Sequence, residues 1–193
     1  RSRSTPHRGR SRCILRQAAM DHVKLYSADA FKLPEREFVA QHGNLFLVKE
    51  PSLADAEWEA NIHYETVYVA APTTSMPEDG LEDGAAFEAS WRVAPVRKRE
   101  GNPFPDRISI GRARNCDIVL RLSYISKLHA HFLVSGSGLR LCDQRSANGT
   151  AINGTALRPG RATPVSLGNN LAFGNLNVQL LNGAGLIKLL REL

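Results

Sequence analysis

The sequence predicts a mostly β protein: an all-β sandwich or barrel with a C-terminal helix, preceded by a short α/β segment. Three observations carry the prediction. From Trp91 onward the chain of 193 residues breaks into about nine short alternating runs separated by Gly, Asn, Asp and Pro, the punctuation of short strands and tight turns. No helical periodicity interrupts those runs. The last stretch, AGLIKLLREL, then sets Leu186, Leu189, Leu190 and Leu193 at helical spacing, an amphipathic end helix that docks on the β domain.

Residues 1–19 contain six Arg and no acid and are low in apolar side chains, so they cannot bury enough surface to order themselves and read as a disordered basic tail. The first Met is Met20, and the stretch before it reads as lying outside the native protein. Residues 20–71 form a short α/β segment of unassigned role. In it Pro34 opens a helix that runs to His42, with Glu35 and Glu37 at its positive end and Gly43 as C-cap. The runs 44–49 (NLFLVK) and 63–70 (HYETVYVA) are strand-like. So short a segment buries its surface poorly by itself and is expected to pack on the larger domain. Residues 72–90, rich in Pro, Gly, Ser, Thr and acids, have the composition of an acidic linker. The strands expected in residues 91–181 are 91–96, 107–110, 118–120, 130–134, 139–142, 150–152, 163–167, 170–173 and 176–181, with the helix in 182–193.

The formal net charge of +6 resembles a nucleic-acid signal until it is divided along the chain. Residues 20–90 hold four basic against fourteen acidic side chains, whereas residues 91–181 hold thirteen basic against four acidic. The basic half is therefore suited to an anionic ligand, but its cations are scattered over loops and strands without the aromatic interleaving of a nucleic-acid groove. No run is long and apolar enough for a transmembrane helix. Cys13, Cys116 and Cys142 are odd in number and lack zinc or disulfide spacing, so they read as reduced thiols and no metal site is expected. These features place the chain in the cytoplasm, with no nucleic-acid or membrane partner.

Three loop motifs carry the chemistry. Gly111-Arg112 follows the strand ISI, Ser126-Lys127-Leu128-His129 precedes AHFLV, and Ser146-Ala147-Asn148-Gly149-Thr150 lies between two strands. In order and spacing, IGRARNCDIVL, ISKLHAHF, LCDQRSANGTAING and LAFG resemble a forkhead-associated (FHA) domain across residues 91–181, of the kind found in small bacterial FHA signalling proteins. The resemblance implies a two-sheet FHA-type β-sandwich whose loops at one end bind phosphothreonine peptides. A phosphate dianion needs fixed, charge-assisted donors, and a guanidinium fork beside a hydroxyl and an ammonium supplies them. By the family's pattern Arg112 and Ser126 grip the phosphate, Lys127 adds charge, and Asn148 bonds the peptide backbone. Gly111 and Gly149 give the backbone freedom beside the site, and His129 is a buried post that holds the loops. Ala147 stands where some relatives have a hydroxyl that adds a phosphate contact, which implies weaker binding. Tyr124 lies where relatives read the side chain three residues after the phosphothreonine, which implies an apolar preference there.

Ser126, His129 and Asp143 are also the residue types of a hydrolase triad, but no G-x-S-x-G nucleophile elbow accompanies them. The reading is thus a phosphothreonine-peptide recognition module in Ser/Thr kinase signalling, without catalysis and without a cofactor. Its partner is a phosphothreonine-containing protein or a Ser/Thr kinase. The alternative is a phosphorylation-independent docking or scaffold protein with a degenerate FHA surface. Thr73 and Thr74, in the acidic linker, are candidate phosphorylation sites, and tethering would let an N-terminal phosphosite of this kind occupy the chain's own loops.

Overall fold

The computed structural model describes residues 18–52, 87, 90–136 and 138–193. Two sheets face each other. The first has the order β1-β6-β5-β7-β8-β11, built from β1 (Ala18–Ala19), β5 (Arg107–Gly111), β6 (Ile118–Val119), β7 (Ala130–Ser135), β8 (Gly138–Asp143) and β11 (Thr163–Pro164). The second has the order β10-β9-β12-β13-β3-β4-β2, built from β2 (Asp21–His22), β3 (Leu45–Lys49), β4 (Arg92–Pro95), β9 (Thr150–Ile152), β10 (Thr155–Ala156), β12 (Asn170–Phe173) and β13 (Leu176–Asn182). Three helices accompany them: α1 (Lys24–Lys32), α2 (Glu35–His42) and α3 (Gly183–Glu192). The protein is therefore mostly β, a sandwich with a C-terminal helix.

The alternating runs explain the core. Ile108, Ile110, Phe132 and Leu141 of the first sheet and Leu171, Phe173, Val178 and Leu180 of the second alternate along their strands and bury together between the sheets. Asn153 and Gly154 both have positive φ, 48° and 76°, as a tight hairpin turn requires, and this adds β10 at the sheet edge. The expected strand at 163–167 shortens to Thr163–Pro164, an edge position where the missing proline N–H is tolerated.

The described part of the N-terminal segment is built into the second sheet. Strand β3 lies between β13 and β4, with Leu47 opposite Leu180 and Ala94. Its run Phe46-Leu47-Val48 is apolar throughout because both faces are covered: Leu47 enters the inter-sheet core, while Phe46 and Val48 enter a second core under the helices. That second core contains Tyr26 and Ala30 of α1, Phe38 of α2, and Leu186, Ile187 and Leu190 of α3. Helix α1 has little sequence signal beyond the spacing of Val23, Tyr26 and Ala30 and has no side-chain N-cap, so tertiary packing stabilises it.

The helices are also stitched by polar groups. Asp29 Oδ2 receives His42 Nε2 at 2.8 Å and Gln41 Nε2 at 3.0 Å, joining α1 to α2. Arg191 donates through Nε and Nη2 to the Ala30 carbonyl at 3.0 and 2.8 Å, capping the end of α1 with the end of α3. Asn182 caps α3 by accepting from Gly185 N at 2.8 Å. The strand expected at 63–70, Thr73 and Thr74, Cys13 and nearly all of the acidic linker and basic tail lie outside the described residues. Among the described residues, no helix is long and apolar enough to cross a membrane.

Candidate functional site

Ile110 pairs with Ala130 and Ala130 with Asp143, so β5, β7 and β8 present one row of residues at one end of the sandwich. The three motif loops leave from that row: residues 112–117, 120–129 and 144–149. Loops held on a rigid sheet end are where a binding site can be kept in fixed geometry.

The first loop is zipped to the second. Arg112 N–H donates to the Ser126 carbonyl at 2.9 Å, Ala113 N–H to the Lys127 carbonyl at 3.0 Å, and Arg112 Nε to the Ile125 carbonyl at 3.2 Å. Gly111 makes this approach feasible, since a Cβ there would lie 2.2 Å from the Lys127 carbonyl oxygen. The need at Gly111 is thus space rather than a special dihedral. Gly149, with φ of 76°, does require the left-handed region.

The third loop is tied to the second by two bonds. Ala147 N–H donates to Ser126 Oγ at 3.0 Å, and Asn148 Nδ2 donates to the Tyr124 carbonyl at 2.8 Å. Beneath them His129 is fully buried: its Nδ1 accepts from Ser126 N–H at 3.2 Å and its Nε2 donates to the Gly149 carbonyl at 2.9 Å. Burial pushes the His129 pKa below the usual histidine value despite the Gly149 bond and the nearby Asp143, so the ring is a neutral bridge between two loops. Arg112, Ser126, Lys127 and Asn148 therefore lie in one interlaced cluster, with Lys127 exposed.

Both carboxylates in this region are buried and consumed. Asp143 accepts from Ser146 Oγ and Thr150 Oγ1, each at 2.6 Å, and from Ser146 N–H at 3.2 Å. Burial alone raises the Asp143 pKa, but the donors from Ser146 and Thr150 outweigh it and leave the carboxyl below its ordinary value. Asp117, wholly buried, accepts from Arg99 N, Asn102 Nδ2, Ser109 N and Ser109 Oγ at 2.6–2.8 Å. What these loops offer solvent is cationic: Arg112, Arg114, Arg121, Lys127 and Arg145.

Sequence reasoning missed the role of Asp143, although an Asp three residues before a Ser in a turn is a recognisable side-chain-to-backbone signature. It also missed Gly174, where a Cβ would come within 3.1 Å of the Tyr124 carbonyl and 3.2 Å of Asn148 Cβ. The hydrolase arrangement is not assembled, because His129 Nδ1 meets the Ser126 backbone rather than its hydroxyl, and Asp143 bonds Ser146 and Thr150. Among the described residues no group of His, Cys, Asp and Glu is disposed to hold a metal ion.

The family model of the FHA domain matches residues 108–174, from β5 to the turn after β12, and so takes in all three loops. The chain carries an FHA domain. An ABC transporter ATP-binding/permease protein of Mycobacterium tuberculosis is 28% identical over 114 residues, which are 59% of this chain and 13% of that relative. The chain thus spans a small part of the curated relative it matches. Among solved structures, Mycobacterium tuberculosis EmbR in complex with a low affinity phosphopeptide is 25% identical, with a TM-score of 0.37 over 39% of this chain and 20% of that one. The N-terminal FHA domain of S. cerevisiae Rad53p in complex with a phosphothreonine peptide is 22% identical, with a TM-score of 0.41 over 52% of this chain and 90% of that one. Strands β2 and β3 and helices α1 and α2 lie outside the FHA match.

Proposed function

We propose that the chain is a phosphothreonine reader: Arg112, Ser126 and Lys127 neutralise the phosphate and Asn148 fixes the register of the peptide backbone. The observation that supports this reading is the interlacing of the three loops above two buried, saturated carboxylates, which leaves a cationic cluster in fixed geometry. Arg112 uses Nε on the Ile125 carbonyl, which leaves the terminal amino groups of its fork for a ligand. Ser126 Oγ accepts from Ala147 and keeps its own proton to donate to a phosphate oxygen. Recognition without catalysis is the whole mechanism. Its setting is cytoplasmic Ser/Thr kinase signalling, with a phosphorylated protein or kinase as partner and phosphorylated Thr73 or Thr74 as the intramolecular competitor.

The test is a titration of the full chain with a phosphothreonine peptide library beside phosphoserine and unphosphorylated counterparts. Selective binding of phosphothreonine is the expected result. Equal binding of the unphosphorylated set would replace this reading with phosphorylation-independent docking.

A further inference from the structure

A cleft of about 690 Å³ opens beside the loop cluster, between the end of β3 and the start of β13. Its lining comes from two sources. The FHA match supplies Tyr124 and the carboxamide of Asn170, while Asn177 and Gln179 of β13 and Glu50 and Ser52 from the tail of β3 lie outside that match. Asn177 and Gln179 are two apart on β13 and share a face, and Asn170 pairs directly with Gln179.

Carboxamides each offer a donor and an acceptor, the complement of a peptide unit. The cleft is also continuous with the phosphothreonine site proposed above. Tyr124 lines it, and the Tyr124 carbonyl holds the side chain of Asn148 at 2.8 Å. Glu50 is exposed and is the one carboxylate among the described lining residues. Lys49, which also lines the cleft, is only 3% exposed, with Nζ donating to the Glu50 carbonyl at 2.9 Å and lying 5.4 Å from the Phe87 ring centroid. The loop cluster is thus cationic, and the charged side chain that the described lining of the adjoining cleft exposes to solvent is the Glu50 carboxylate.

The geometry points to a second, extended subsite: the cleft takes the flank of the same phosphothreonine peptide, binds its backbone through the carboxamides of Asn170, Asn177 and Gln179, and selects a basic side chain through Glu50. This inference rests on the phosphothreonine reading and deepens it by naming the ligand's charge order, a phosphate at one end and a basic flank at the other. The volume lies within the range of specific ligand clefts, and an extended flank advances about 3.3 Å per residue, so a few residues suffice to cross it. The segment before the FHA match thereby becomes part of the recognition surface.

The experiment uses the full chain and fluorescent phosphothreonine peptides, one short and others lengthened on either side with Lys-rich or Glu-rich flanks. A Lys-rich flank on one side is expected to tighten binding about tenfold over the short peptide, and a Glu-rich flank is expected not to. Glu50→Lys is expected to reverse that order while leaving the short peptide's affinity unchanged. Gln179→Ala is expected to shrink the gain from lengthening. Equal affinity of short and long peptides, with phosphothreonine dependence retained, overturns the cleft inference and leaves the reader intact. Failure of every phosphopeptide overturns both.

Discussion

Ala147 N–H donates to the hydroxyl oxygen of Ser126 across 3.0 Å, joining residues 21 positions apart in the chain. The contact makes Ser126 a pin between two loops as well as the hydroxyl proposed to meet the phosphate. Ser126→Ala is therefore expected to cost about 1 kcal/mol of stability from the lost bond and to weaken phosphopeptide binding as well. Calorimetric binding and a thermal melt on the same sample separate the two effects, and an unchanged melt would remove the loop-pinning role.

Arg112→Ala should weaken phosphothreonine binding by at least about thirtyfold, because truncating one partner of a close charge pair costs about 2–5 kcal/mol. The fold should survive, since the residue is only partly buried and its side chain makes one bond, to the Ile125 carbonyl. Arg112→Lys should restore little, because an ammonium cannot hold Ile125 and present a planar fork at once. Wild-type affinity in Arg112→Ala would refute the site assignment.

Gly111→Ala tests the spacing of the loops without touching a charge. An added methyl would lie 2.2 Å from the Lys127 carbonyl oxygen, a backbone atom that moves only with its loop. We expect a loss of about 3 kcal/mol and weaker ligand binding together. A urea midpoint matching the parent would show that the loop yields freely.

Acid should destabilise the protein. The folded-state pKa of His129 lies below its ordinary value of 6.5, with burial as the largest cause, and so does that of His131, for which burial and Arg107 are responsible. Below 6.5 the unfolded chain binds more protons than the folded one, so stability falls as pH drops through that window. The lowered pKa of Asp143 has the same sign further down, where protonation removes its bonds to Ser146 and Thr150. Urea midpoints at about pH 7.5 and about pH 5 should therefore differ, the neutral one being higher. A flat profile would mean that the buried imidazoles are not strained by charging.

A fragment beginning at residue 90 would lack β3, leaving β13 and β4 without their shared neighbour. It is expected to expose Val93, Leu180 and Leu186, bind a hydrophobic dye and show poor NMR dispersion. In the full chain Phe46→Ala removes the ring that meets Tyr26 at 6.1 Å and Phe38 at 6.2 Å, and should cost about 3–5 kcal/mol. A well-dispersed spectrum from the fragment would show that the sheet closes without β3.

The strands from β5 to β13, β10 apart, were legible because most bury one face, which imposes alternation, and because Gly, Asn and Pro mark their turns. Helix α2 was legible from Pro34, Glu35, Glu37 and Gly43, each tied to a local requirement of a helix end. The partners of β3 were not legible, since LFLV reports only that both faces are covered and says nothing of what covers them. Helix α1 escaped because its apolar spacing is sparse and its cap is formed by Arg191, 161 residues after Ala30. In the loops, residue types such as Arg112 and Asn148 were readable from their motifs. The convergence depends on carbonyl acceptors at Tyr124, Ile125, Ser126 and Lys127, which no side-chain pattern encodes.

Leu45 pairs with Asn182, so β3 finds one of its two neighbours only in β13, the last of the described strands. During translation Phe46, Leu47 and Val48 must wait for that neighbour while most of the sandwich emerges. Contacts of such long sequence separation slow folding, and a waiting apolar strand is a target for chaperones or for wrong pairing. A stop or frameshift that removed β13 and α3 would strand β3 along with them, leaving an open second sheet for proteolysis.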